Sequence, residues 1–134
     1  MKRLQFLSLV AFILFSANTI LQSASPILSK ILPRGGQRGS TVEMVFTGQR
    51  LQDIHQVLFY SSGFQVEKIE GDEKNNKRAT ATVKITPECV LGEHHLRLVT
   101  SSGLSTLHTF WVGPFPSVQE IEPNSECSKP QAIP

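Results

Sequence analysis

The sequence predicts an all-β fold, a sandwich of two antiparallel sheets, on three observations. From residue 26 onward apolar positions alternate with polar ones instead of recurring at three and four. Glycine, proline and Ser-Gly punctuation falls at short intervals, and no segment carries a helical apolar stripe. Six or seven short strands in this spacing fit two sheets that each bury one face.

The elements follow in order. Met1-Lys2-Arg3 and the apolar run LQFLSLVAFILF read as a secretory signal peptide over residues 1–25, with cleavage near the small residues Ser23, Ala24 and Ser25. Its apolar centre, Phe6 to Phe15, is about half of the roughly 20 residues that a spanning helix needs, so no stable membrane span is expected after cleavage. SPILSKIL is the first edge strand, and Pro33 ends it without needing a ladder donor. Gly35, Gly36 and Gly39 then allow a bend with positive φ. In STVEMVFTG, Val42, Met44 and Phe46 share one face; in HQVLFYSSG, Val57 and Phe59 point inward. FQVEKIE and RATATVKITP pair across GDEKNNK, a solvated hairpin tip. Glu93 to Thr100 and Leu104 to Val112 complete the set, separated by SSG.

Charge excludes one class of partner. The chain carries 13 Lys+Arg against 11 Asp+Glu; Lys2 and Arg3 leave with the signal peptide, so the remainder holds 11 of each. A balanced surface has no electrostatic footprint for a phosphate backbone, and nucleic acid is not an expected partner. The remaining residues suffice for one domain with its own core. The two cysteines, Cys89 and Cys127, are free to pair after export, which permits a disulfide without requiring one.

SPILSKILPRGGQRGSTVEMVFTGQRL, VLFYSSG, VLGEHHLRLVTSSGLS and FWVG, in this order, resemble the immunoglobulin-like IPT/TIG module, of E-set type, that opens secreted planctomycete-type proteins. VQEIEPNSECSKPQAIP is similar to the opening of a bacterial pre-peptidase C-terminal domain, with Glu120, Glu122, Pro123 and Asn124 as matching positions. The resemblance implies a sandwich over 26–113, and a linker with the truncated start of a second β domain over 114–134. It further implies a noncatalytic spacer or interaction module, secreted or held in the periplasm or cell envelope, whose partner is a protein or envelope component. The alternative is an accessory domain of a secreted peptidase or other hydrolase whose catalytic part is absent from this chain.

The residues themselves offer little chemistry. Successive strand side chains point to opposite faces, so His94 and His95 do not share an ion, and no metal ligand set is assigned. Glu120, Glu122 and Asn124 bring three oxygen donors where calcium takes six to eight. RGGQRG is followed by a strand pattern, whereas a phosphate cradle needs a helix N-terminus. Asp53 and His55 stand two apart without a positioned serine, and no GxSxG occurs, so no catalytic residue and no cofactor is expected. A carbohydrate-binding surface would need several exposed aromatics, against one Trp and one Tyr. The candidate interaction surface comprises the loop residues Gly35, Gly36, Gln37 and Arg38 and the aromatic junction Phe110, Trp111 and Phe115. Alternation places one of Phe110 and Trp111 in the core, with Trp111 the outer one.

Overall fold

In the computed structural model, which describes residues 24–72 and 74–116, the alternating segments form nine strands and no helix. They are β1 (Ile27–Leu32), β2 (Gly35–Gln37), β3 (Thr41–Gln49), β4 (Ile54–Phe59), β5 (Phe64–Gly71), β6 (Arg78–Ile85), β7 (Gly92–Thr100), β8 (Gly103–Leu104) and β9 (His108–Gly113). One sheet has the order β1-β3-β6-β5; the other runs β2-β9-β7-β4, with β8 added beside β7. This is the strand order of an immunoglobulin-like sandwich, four strands facing the remainder across a shared core. The signal peptide, Cys127 and the 117–134 segment lie outside the described residues, apart from the leader's last two positions.

Each inner face supplies alternate residues to that core. Met44 and Phe46 from β3 meet Ala79, Ala81, Val83 and Ile85 from β6; Leu96 and Leu98 from β7 and Phe110 and Val112 from β9 close it from the opposite sheet. Three strands break strict alternation. The pairing register shifts between Leu28 and Lys30 in β1, between Ile54 and Gln56 in β4, and between Val66 and Lys68 in β5. A bulge inserts one residue and swaps faces beyond it, so Leu28 and Ile31 are both buried while Leu32 is exposed. Val57 is buried as expected, whereas Phe59 is half-buried and stacks on Phe64 with ring centroids 4.0 Å apart.

The chain changes sheets at its start. β1 ends at Leu32, Pro33 follows through a cis peptide bond, and β2 joins the second sheet beside β9. Because β2 continues in the direction of β1, it runs parallel to β9, pairing Gly35 with Trp111 and Gln37 with Gly113. The expectation of a purely antiparallel sandwich is corrected at this one pairing. Gly35 and Gly36 are likewise strand residues and not a bend; only Gly39 of the three takes positive φ, at 81°, in the turn to β3. Gly36 is buried, and a Cβ there would stand 2.7 Å from Val42 and 2.8 Å from Ile85. Its hydrogen is what fits between the sheets.

Leu104 to Val112 is two strands instead of one. Ser105 and Thr106 interrupt it to tie the layers together. Buried Ser105 accepts from the Leu98 N–H at 2.9 Å and donates to the Thr106 carbonyl. The Thr106 hydroxyl accepts from the Leu28 N–H at 3.2 Å and donates to the Leu28 carbonyl at 2.7 Å. His108 Nε2 reaches the same carbonyl at 2.6 Å. A hydroxyl and an imidazole thereby satisfy part of the outer edge of β1 in place of a strand.

Candidate functional site

The seven candidate residues converge on one edge of the molecule, but not all of them are surface. β2 and the end of β9 hold them. Trp111 N–H donates to the Arg34 carbonyl at 3.0 Å, and Arg38 N–H donates to the Gly113 carbonyl at 2.9 Å. Gln37 Nε2 donates to the Pro114 carbonyl at 3.1 Å, which directs the chain leaving β9. Phe110 is fully buried, its ring 6.2 Å from Phe64 in an edge-on contact, so its assignment to an interaction surface is corrected. The same alternation that exposes Trp111 turns Phe110 inward. Gly36 is withdrawn from that surface by the same burial. Trp111 at 56 % exposure and Phe115 at 78 % remain.

Two depressions flank this edge. On the outer side, Lys30, Arg34, His108, Thr109 and Trp111 line a hollow of about 330 Å³. On the other side an open, mainly apolar groove of about 830 Å³ separates β2 from the first half of β3, with Leu32, Pro33, Val42, Val45 and Pro116 on its walls. It exists because β1 leaves its sheet early. Leu32 pairs with Val45 and β1 ends there, so among the described residues Thr41 to Met44 are paired with β6 alone.

Elsewhere the titratable groups have structural employment. His94, 5 % exposed, lies between Ser61 and Val90. Its Nε2 is 2.7 Å from the Val90 carbonyl, which accepts only, so Nε2 carries the proton and Nδ1 accepts from the Ser61 hydroxyl at 2.6 Å. With that tautomer the ring has no lone pair to offer Cys89, whose Sγ is 3.9 Å from Nε2. Among the described residues no carboxylate completes the group, and it has the form of a satisfied core histidine. His95 is exposed on the opposite face, 3.5 Å from Glu93. Asp53 Oδ2 accepts from the Ser101 N–H at 3.1 Å, which commits the aspartate to a turn. In the hairpin tip, Asp72 Oδ1 accepts from the Lys74 and Asn75 N–H groups at 3.0 and 3.1 Å. Among the described residues no three metal-ligating side chains cluster.

Cys89 is a free thiol at 1 % exposure. Burial pushes its pKa up, with Arg38 opposing weakly. A neutral, enclosed thiol is a poor nucleophile. In a chain carrying Cys127→Ser, a disulfide-exchange reagent at pH 8 is therefore expected to label Cys89 at least about 100-fold more slowly than it does in denaturant. Labelling at the unfolded rate in buffer would place the sulfur at the surface.

No family model and no curated protein matches the chain. Solved structures similar to it include the Lin-41 filamin domain, at 12 % identity and a TM-score of 0.44 over 68 % of this chain and 99 % of that one. The M1 domain from titin is similar at 15 % identity and a TM-score of 0.40, over 67 % and 94 %. The twitchin kinase region from C.elegans is similar at 14 % and 0.40, over 68 % of this chain and 16 % of that chain. The architecture assigned above rests on this chain's own strand order and not on these likenesses.

The edge hydrogen bonding was not legible in advance. Its one sequence signal is the polar pair Ser105-Thr106, which breaks the alternation between Leu104 and Leu107.

Proposed function

We propose that the chain is a noncatalytic spacer and interaction module of the cell exterior or envelope, leading a secreted protein. The finer assignment to the IPT/TIG type, ahead of a pre-peptidase C-terminal domain, belongs to the same proposal. The observation that supports it is the exposure of Trp111 and Phe115 beside the β2–β9 edge while the core is filled by other residues. Large exposed aromatics next to a polar rim are the residues on which interface energy concentrates. The titratable groups nearest to a catalytic arrangement, Ser61, His94 and Cys89, are instead tied up as structure.

The test is retention of the full chain on envelope material of the source cell, with and without Trp111→Ala and Phe115→Ala. Retention is expected to fall about tenfold or more in the double variant, the scale of one hot-spot residue, at an unchanged thermal midpoint. Equal retention by both chains would remove this surface from the reading. N-terminal sequencing of the natural product checks the processing: a start near residues 24–26 is expected, and a product that keeps Met1 would overturn cleavage of the signal peptide.

A further inference from the structure

The hollow between β1 and β9 brings together two cations, an exposed indole and polar groups that both donate and accept. Lys30 of β1 and Arg34, in the link to β2, line it, and both are exposed. Among the described residues its lining carries no carboxylate, and neither cation is in an ion pair. Trp111 forms one wall. Its cross-strand neighbour on the β2 side is Gly35, where a Cβ would lie 3.3 Å from the Trp111 Cβ and 2.6 Å from the Trp111 carbonyl oxygen. The absent side chain leaves that flank of the indole uncovered. On the opposite flank stands Glu93 of β7, which accepts from the Thr109 hydroxyl at 3.2 Å and lies 3.5 Å from His95. Trp111 N–H and the Gly113 carbonyl bond to Arg34 and Arg38, so odd-numbered residues of β9 turn their backbone groups to the β2 side. Thr109 has the same parity, and β2 begins its pairing at Gly35 with Trp111, so among the described residues no strand faces the Thr109 N–H and C=O. They open on the hollow. His108 Nε2 is committed to the Leu28 carbonyl, which accepts only, so Nδ1 of that ring is an acceptor.

We infer that this hollow binds one unit of an acidic saccharide, a uronate-type ring whose carboxylate pairs with Arg34 and Lys30. The cations decide the charge of the ligand. A guanidinium takes a carboxylate through two parallel N–H bonds, and a lysine adds a point charge. Glu93 sets the orientation, because it repels the carboxylate from the β7 flank of Trp111 and leaves it the flank bared at Gly35. The indole is a flat apolar platform for the C–H face of the ring. Ring hydroxyls both give and take hydrogen bonds; the Thr109 N–H donates, and the Thr109 carbonyl and His108 Nδ1 accept. A carboxylate side chain of a peptide answers the charge but brings neither ring nor hydroxyls to these groups. At about 330 Å³ the hollow is at the lower end of small-ligand sites. It suits a single ring, so one exposed tryptophan suffices where a surface gripping an extended glycan takes several. The assignment rests on the interaction-module function, with which it shares Trp111.

Trp111 is the only tryptophan of the chain, so its fluorescence reports on the hollow directly. Titration of the full chain at pH 7 with a galacturonic acid trimer is expected to give a saturable change, with a Kd at least about tenfold lower than that for the neutral galactose trimer. Arg34→Gln is expected to raise that Kd about tenfold or more at an unchanged thermal midpoint. Should its midpoint fall, Lys30→Gln carries the test, with an expected rise of about threefold or more. No saturable change with the acidic trimer overturns the assignment, as does equal affinity for the neutral trimer or undiminished binding by the charge variants. Tighter binding of a hexaglutamate peptide also overturns it and gives the hollow to acidic proteins. If the acidic trimer fails while envelope retention still depends on Trp111 and Phe115, the sugar assignment alone falls. If the trimer binds but the Trp111→Ala/Phe115→Ala chain is retained as well as the native one, the hollow stands and the wider interaction surface falls.

Discussion

Replacing Phe110 with alanine is expected to cost about 3–5 kcal/mol, which is a large part of the stability of a domain this size. The ring is fully buried, meets Phe64 edge-on, and lies against the position of the missing Cβ of Gly36 at 3.3 Å. Removing it opens a cavity at the point where β2, β3 and β9 approach one another, and a strand sandwich relaxes poorly around such a hole because its backbone is held by ladders on both sides. Urea unfolding measures the effect as a lower midpoint at unchanged slope. The control is its neighbour: Trp111→Ala is expected to change stability by less than about 1 kcal/mol, since more than half of that side chain already faces water. Equal losses at the two positions would mean that the inward and outward faces of β9 have been exchanged.

Gly48→Val is expected to lower the thermal midpoint by about 10 °C or more. Gly48 is buried opposite Leu28 in the β1–β3 ladder, and a Cβ there would collide with the Ile27 carbonyl, a backbone atom that cannot rotate away. The strand itself has to move. Leu28 and Ile31 would leave the core with it, along with the Thr106 and His108 bonds to the Leu28 carbonyl. Faster amide exchange confined first to β1 would show this route, whereas a midpoint within 2 °C of the native value, a shift of about 0.5 kcal/mol or less, would remove the steric argument. At Gly39 the reason for glycine differs. No atom lies within 4 Å of a Cβ there, and only the positive φ of 81° penalises a side chain.

Much of the fold was readable because strand periodicity depends on neighbours two residues apart. Met44 with Phe46, Leu96 with Leu98 and the β5–β6 pair across the polar tip all follow from local alternation. The bulges in β1, β4 and β5 were not readable, since an inserted residue is dictated by the partner strand's register. For the same reason Leu32 looks like a core position in SPILSKIL and is exposed. Of the candidate surface, alternation correctly set Trp111 outside and Phe110 inside, and including Phe110 in the surface disregarded that parity. Gly35 and Gly36 resemble a turn in sequence, yet they serve close approach and a short parallel pairing.

The sequence by itself determined an all-β sandwich, the stop after the first strand at Pro33, the hairpin tip and the outward tryptophan, because each depends on local backbone preference or on the two-residue period. Only the tertiary structure decided that β1 hands over to β2 in the opposite sheet, that Ser105, Thr106 and His108 stitch the layers at Leu28, and that Thr41 and Glu43 line a groove between β2 and β3. These depend on residues up to 80 apart in the chain, brought together by burial of a common core. Burial rewards whichever pairing fills that core, and a local pattern does not specify its partner.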